Sequence, residues 1–234
     1  MTKVSIISGG ASGLGFSLAS RLLKEGKNII ILGRDSTKLI EAAEWLQTGL
    51  EYYRVTPVTC NIGNGNDVRK LGDFISSQAM TVEYLFNNAG SGLFAKADTS
   101  TSSMVDNVFE ANLKGMILLT SEILRITPEK EELNIINIMS TSSLYGRSEE
   151  TIYCAAKWGA RGYTEALRTE LKGTKRNIIA VYPGGMKTGF WNIPGQNRDI
   201  SGFMEPDEVA EKIVAAVMVK DNLLVTDITI NRKR

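Results

Sequence analysis

The residues of this chain best suited to chemistry are a phenol and an amine four positions apart, Tyr153 and Lys157, with the Ser140 hydroxyl thirteen residues upstream of the tyrosine. Periodicity predicts a helix over 149–171, which sets Tyr153 and Lys157 on one face at i and i+4. An ammonium that close favours the phenolate, so the tyrosine is expected to titrate below its ordinary value of about 10. Ser140 ends the strand-like run 134–139, where its hydroxyl can hydrogen-bond a carbonyl oxygen held beside the tyrosine. An acid and a second donor aimed at one oxygen meet the needs of general acid–base catalysis. A Tyr-x-x-x-Lys pair alone is ordinary helix surface, so the reading depends on what surrounds it.

Composition narrows the chemistry. None of the 234 residues is a histidine, which excludes histidine-based triads and histidine-ligated metals and leaves acid–base work to Tyr, Lys, Asp or Glu. The cysteines, Cys60 and Cys154, form no metal-ligand or disulfide pattern. Cys154, next to the tyrosine, reads as a small buried helix residue or a redox-sensitive thiol. Lys and Arg number 27 against 26 Asp and Glu, a net charge of +1, which argues against nucleic acid or a membrane surface as partner. Hydrophobic residues at 43% and charged residues at 23% are ordinary for a globular chain. No apolar run approaches the roughly 18 residues of a membrane helix, and Met1-Thr2-Lys3 leads straight into a strand. The expectation is a soluble, cytoplasmic α/β protein of one domain spanning 1–234.

The elements that must position the tyrosine alternate in type. A β-branched run, 4–8, meets Gly9-Gly10-Ala11-Ser12-Gly13-Leu14-Gly15, and then Phe16, Leu18, Ala19, Leu22 and Leu23 at helical spacing. In a strand–turn–helix unit, glycines let backbone approach a pyrophosphate, and the helix N-terminus supplies N–H donors. A second strand, 28–32, ends in Gly33-Arg34-Asp35. A small residue followed by a cation suits the 2′-phosphate of NADP, while Asp35 keeps NAD open as second choice. Helices over 35–47 and 64–77 flank a strand over 53–60, after which Asn61 and Ile62 open a loop that can meet an adenine ring.

A fourth strand, 82–86, runs into Asn87-Asn88-Ala89-Gly90, at the strand end where parallel sheets bind ligands; a capped turn is the alternative. One long helix is predicted over 101–125, with Asn112 inside it against its propensity. After strand 134–139 and the tyrosine helix, a strand over 177–182 leads into Pro183-Gly184-Gly185-Met186-Lys187-Thr188. Periodicity then stops over 189–205, a stretch holding Phe190, Trp191, Ile193, Pro194, Phe203 and Met204, and a substrate lid is expected over about 186–205. A helix over 206–219 and a strand over 223–230 close the chain. Such alternation predicts a parallel sheet covered on both faces.

Taken together, Ser8-Gly9-x-x-x-Gly13-x-Gly15, Asn88-Ala89-Gly90, Asn112, Ser140, Tyr153-x-x-x-Lys157 and Pro183-Gly184-x-x-x-Thr188 stand in the order and spacing of the short-chain dehydrogenase/reductase family, which the chain resembles from Val4 to about Ile230. The resemblance implies a Rossmann doubly wound sheet of about seven strands with helices on both faces, assembled as a homodimer or homotetramer. It also implies a catalytic tetrad. Tyr153 would be the general acid or base, Lys157 would tune it and hold the nicotinamide ribose, Ser140 would polarise the carbonyl, and Asn112 would anchor a water of a proton relay. The glycine turn from Gly9 to Gly15, with Arg34, Asn61, Ile62, Asn88, Ala89 and Gly90, would hold the cofactor, together with Pro183, Gly184, Met186 and Thr188. Two positions depart from the family pattern, Ser8 in place of Thr and Asn61 in place of Asp.

The function implied is NADPH-dependent reduction of a small ketone or aldehyde, or the reverse alcohol oxidation. Two rivals stand beside it. A 3-oxoacyl thioester reductase needs a basic rim for an acidic carrier, and the lid offers only Lys187 and Arg198. A non-catalytic NADP-binding sensor would not need the intact tetrad. The lid aromatics suggest an apolar or aromatic carbonyl compound, or else packing among themselves.

Overall fold

Successive side chains on a strand point to opposite faces, so a strand buried on both sides must be apolar at consecutive positions. Four isoleucine pairs meet that demand: Ile6, Ile30, Ile135 and Ile178 pack on one face, and Ile7, Ile31, Ile136 and Ile179 on the other. All eight are at most 3% exposed. The computed structural model describes residues 1–49, 52, 54–192, 199–219 and 223–233.

Among these residues the strands are β1 (Thr2–Ser8), β2 (Asn28–Gly33), β3 (Val55–Thr59), β4 (Met80–Asn87), β5 (Leu133–Ile138), β6 (Arg176–Pro183) and β7 (Asp227–Ile230). They form one sheet in the order β3-β2-β1-β4-β5-β6-β7, with every pairing parallel. The helices are α1 (Gly13–Lys24), α2 (Ser36–Gln47), α3 (Gly65–Ser77), α4 (Ser102–Phe109), α5 (Gly115–Ile126), α6 (Thr151–Glu170) and α7 (Pro206–Val217). Leu18 and Leu22 of α1 and Ile213 of α7 cover one face, while Leu71 of α3, Leu119 of α5 and Leu167 of α6 cover the other. The strand order reverses between β1 and β4, and a parallel sheet opens its ligand crevice at such a switch point.

The expected elements are present with ends shifted by a residue or two, and three depart in a way that has a structural cause or consequence. The helix expected over 101–125 is interrupted, because Glu110–Lys114 forms a π-helical turn between α4 and α5. The tyrosine helix begins at Thr151 rather than 149, since Glu149 has φ +62°, a left-handed conformation that cannot continue into a right-handed helix. The last strand starts at Asp227 rather than 223, its register with β6 beginning at Ala180, and Leu223 and Leu224 are exposed. Within the expected third strand, Tyr53 lies outside the described residues, as do Ile193, Pro194 and Arg198 of the expected lid.

Candidate active site

The glycine turn follows β1 at the switch point. Gly9 and Gly13 have φ of +67° and +51°, a region that side-chain-bearing residues rarely adopt. The Gly9 and Gly10 N–H groups donate to the Leu32 carbonyl of β2 at 2.8 and 3.2 Å, which pins the turn to the neighbouring strand. A Cβ on Gly15 would overlap the Gly9 carbonyl oxygen, so α1 can pack against its own turn only with glycine there. Ser12, the N-cap of α1, makes no capping side-chain bond, and the first turn holds no acidic residue.

The Asn88 stretch braces this turn. Asn88 Nδ2 donates to the Ser8 carbonyl at 2.9 Å. The Ser8 hydroxyl accepts the Asn88 and Ala89 N–H groups, each at 3.0 Å, and donates to the Phe86 carbonyl at 3.3 Å. Serine thus supplies every bond that the hydroxyl is asked to make here.

Beyond β5, Ser140 faces the tyrosine helix. Its oxygen accepts the Ser142 N–H at 3.1 Å, and its hydroxyl lies on the same cleft as the Tyr153 phenol. Tyr153 and Lys157 are both buried. The expected lowering of the tyrosine pKa is not what the structure gives. Burial pushes Tyr153 up, the Ser140 hydroxyl opposes that, Glu150 adds to the rise and Arg147 acts against it. Lys157 is not among the groups that favour the phenolate. Its ammonium lies 5.8 Å from the Tyr153 ring centroid and donates to the Ile138 carbonyl at 3.2 Å. Burial lowers Lys157 from 10.5 to about 8.

Asn112 sits in the π-helical turn. There the Gly115 N–H reaches back to the Glu110 carbonyl, five residues earlier, and the ordinary ladder is broken. The Asn112 side-chain amide fills in, donating to the Val108 and Ser91 carbonyls at 2.9 Å each. Its Oδ1 is buried and accepts no hydrogen bond among the described residues. A Cβ on Gly90 would lie 2.6 Å from that oxygen and 3.6 Å from Lys157 Nζ, so both groups converge over Gly90.

One cleft of about 710 Å³ joins these parts. Gly9, Ser12, Gly13, Leu14, Asn88, Ala89 and Gly90 line it, as do Pro183, Gly184, Met186 and Thr188, and all four of Asn112, Ser140, Tyr153 and Lys157. Gly10, Ala11 and Gly15 shape the turn without lining the cleft. Arg34, Asn61 and Ile62 also lie outside it. Arg34 is exposed at the end of β2, and its guanidinium makes no hydrogen bond or ion pair among the described residues. Its neighbour Asp35 caps α2, accepting the Lys38 N–H at 3.1 Å. The Asn61 side chain is taken up by the Gly63 N–H at 3.1 Å and by Glu110 at 3.2 Å, while Ile62 packs into the core.

Sequence reasoning missed several lining groups. Arg147 and Glu150 border the cleft beside Tyr153, and the Ser142 hydroxyl donates to the Glu150 carboxylate at 2.9 Å. Asn231 and Arg232 reach it from beyond β7. No periodicity marks these residues: Arg147 and Glu150 closely precede Tyr153 in the chain, and only the fold brings Asn231 and Arg232 to the same cleft. The described residues of the lid stretch carry defined local structure. Met186 pairs with Met204 in a short parallel bridge, Gly189–Trp191 forms a 3-10 turn, and Phe190 sets its ring 5.6 Å from that of Tyr153.

The family description "short chain dehydrogenase" matches residues 3–198. The chain belongs to that family. An uncharacterised oxidoreductase of Staphylococcus aureus strain USA300 is 26% identical over 228 residues, covering 97% of this chain and 96% of the relative. A short-chain dehydrogenase/reductase of Vibrio parahaemolyticus superposes with a TM-score of 0.84 at 32% identity, covering 98% of this chain and 97% of that one. An alcohol dehydrogenase from the archaeon Thermococcus sibiricus, solved with 5-hydroxy-NADP, shares the fold over the full length of both chains with a TM-score of 0.90 at 19% identity. No helix among the described residues of this family member is long and apolar enough to cross a membrane.

Proposed function

We propose that this short-chain dehydrogenase is an NADP-dependent oxidoreductase that reduces a ketone or aldehyde to an alcohol and runs the reverse oxidation, with Tyr153 carrying the proton. The observation behind this reading is that Ser140, Tyr153, Lys157 and Asn112 all line the same cleft as the glycine turn.

The residues fit a dinucleotide. Two left-handed glycines open the backbone, and the N-terminus of α1 has neither a capping side chain nor a first-turn carboxylate to compete with a pyrophosphate. Arg34 supports NADP over NAD, because its guanidinium has no partner among the described residues while Asp35 is occupied as a helix cap. Bound, the cofactor supplies the hydride, and the protein supplies orientation and a proton.

The Ser140 hydroxyl donates to the substrate carbonyl oxygen, and the Tyr153 phenol gives that oxygen its proton. A tyrosine held protonated by burial suits the reductive direction. Lys157, at about 8, can release and regain a proton near neutrality, and the Asn112 acceptor beside it extends the route for that proton. Delivery of an acyl group on an acidic carrier has less support, since Lys187 is paired with Glu205 at 2.6 Å.

The test is a titration with NADPH and NADH followed by cofactor fluorescence, then turnover on a panel of ketones and aldehydes. Tight NADPH binding with carbonyl-dependent oxidation is expected. Failure to bind either cofactor overturns the reading, and binding without turnover on any carbonyl favours the sensor.

A further inference from the structure

The cleft has two unlike sides at the point where a carbonyl would meet Tyr153. One side carries hydroxyls and charges, from Ser140, Ser142, Arg147 and Glu150. Three more of the cleft's lining residues are rings, with the Arg232 guanidinium 6.0 Å from the Phe203 centroid. Phe190 stands edge-on to Tyr153, with centroids 5.6 Å apart at 61°. Trp191 meets Phe190 at 5.1 Å and 77°, and Phe203 meets Trp191 at 5.0 Å and 72°. All three line the cleft.

These rings are held in place from behind. Phe94, buried outside the cleft lining, meets Phe190 at 6.3 Å and lies nearly parallel to Trp191 at 5.3 Å and 23°. The Trp191 indole N–H is satisfied by the Met186 carbonyl at 2.8 Å, so the ring carries no unmet donor into the cleft. The far edge of Phe190 rests on Gly92, where a Cβ would come within 2.6 Å of Cζ and 2.9 Å of Cε1. An aromatic wall whose rotamers are already locked gives up little entropy when a ligand meets it.

We infer that the ring side of the cleft is an aryl subsite, and that the substrate is an aryl ketone whose flat ring lies against Phe190 and Trp191 while its carbonyl reaches Ser140 and Tyr153. This rests on the carbonyl-reduction reading and adds the class of substituent. Phe190 touches the ring of the proton donor, so whichever group flanks the carbonyl on that side must pass it. A flat ring can pair with Phe190 and Trp191 in the edge-on or offset geometry that aromatic quadrupoles prefer; a puckered aliphatic ring of similar size gains only area.

The experiment compares kcat/KM for acetophenone and cyclohexyl methyl ketone, with NADPH, in the wild type and in Phe190→Leu. Dividing the aryl-to-cyclohexyl ratio of the wild type by that of the variant cancels the intrinsic reactivity of the two ketones. The expected result is a ratio about two- to tenfold larger in the wild type, the size of an aromatic pair beyond simple burial. An unchanged ratio, with both ketones slowed alike, overturns the aryl subsite and leaves the reductase reading standing. NADPH oxidation on other carbonyls with neither of these ketones turned over does the same. No oxidation with any carbonyl removes both. If Phe190→Leu does not fold, Gly92→Ala replaces it, because the added methyl would lie 2.6 Å from Phe190 Cζ and must shift the ring. It is expected to slow acetophenone more than the cyclohexyl ketone, and equal slowing again overturns the inference.

Discussion

The Lys157 ammonium lies 5.8 Å from the centroid of the Tyr153 ring and spends a hydrogen bond on the Ile138 carbonyl. Burial lowers the lysine to about 8 and is the largest cause of the rise at the tyrosine. A folded-state lysine pKa below its unfolded value means that the unfolded chain binds more protons between about 8 and 10.5. The penalty is fully present below pH 8 and relieved as pH rises. Cys60, raised to about 11, works the other way above pH 9, where its unfolded thiol ionises first. Lys157→Met removes the lysine contribution alone. Without cofactor the variant should melt a few degrees above wild type at pH 7, and the gap should shrink toward pH 10. A gap that is constant with pH, measured by thermal melts, would remove burial of the charge as its cause.

Replacing the phenol tests the proton-carrying role directly. Tyr153→Phe should lower kcat by about 10²–10⁴, the usual contribution of a positioned general acid, while NADPH still binds. Steady-state rates with fluorescence titration separate the two effects. Turnover near the wild-type level would assign the proton to another group.

Cofactor choice turns on one side chain. Arg34→Ala should weaken NADPH binding by about tenfold or more, as expected for a lost charge-assisted bond of 1.5–3 kcal/mol, and leave NADH binding nearly unchanged. Equal losses for both cofactors would show that Arg34 does not read the 2′-phosphate.

Glycines at the start of helices need not behave alike. Gly15→Ala pushes a methyl into the Gly9 carbonyl and within 2.6 Å of Asn88 Nδ2, so it should abolish measurable cofactor binding and lower the melting temperature. Gly65, the first residue of α3, has nothing within 4 Å of an added Cβ. Gly65→Ala should keep binding intact and hold or slightly raise stability. Matched melts and titrations of the two variants check both statements.

Most of the sheet was legible from residue order, because a strand buried on both faces has to be apolar at consecutive positions and few other elements do. The isoleucine pairs of β1, β2, β5 and β6 are that signature. The glycine turn was legible for a related reason, since Gly9, Gly13 and Gly15 occupy conformations or contacts that a side chain would block. Asn112 was visible only as an anomaly in a helical run. Its cause, a π-helical turn whose freed Val108 carbonyl the side chain takes up, is a matter of backbone geometry that periodicity does not encode.

The sequence by itself determined the alternation of strands and helices, the glycine turn and the Tyr153–Lys157 spacing, because these are local patterns with local physical causes. Only the tertiary structure decided the sign of the Tyr153 pKa shift. Spacing along a helix predicts the charge next door, whereas the shift is governed by loss of water on every side of the phenol, including the sides closed by Ser140 and Phe190. The same holds for the aromatic wall. Phe94, Phe190 and Phe203 are scattered over more than a hundred residues, and the sheet's crossover brings the loops after β4 and β6 to one rim.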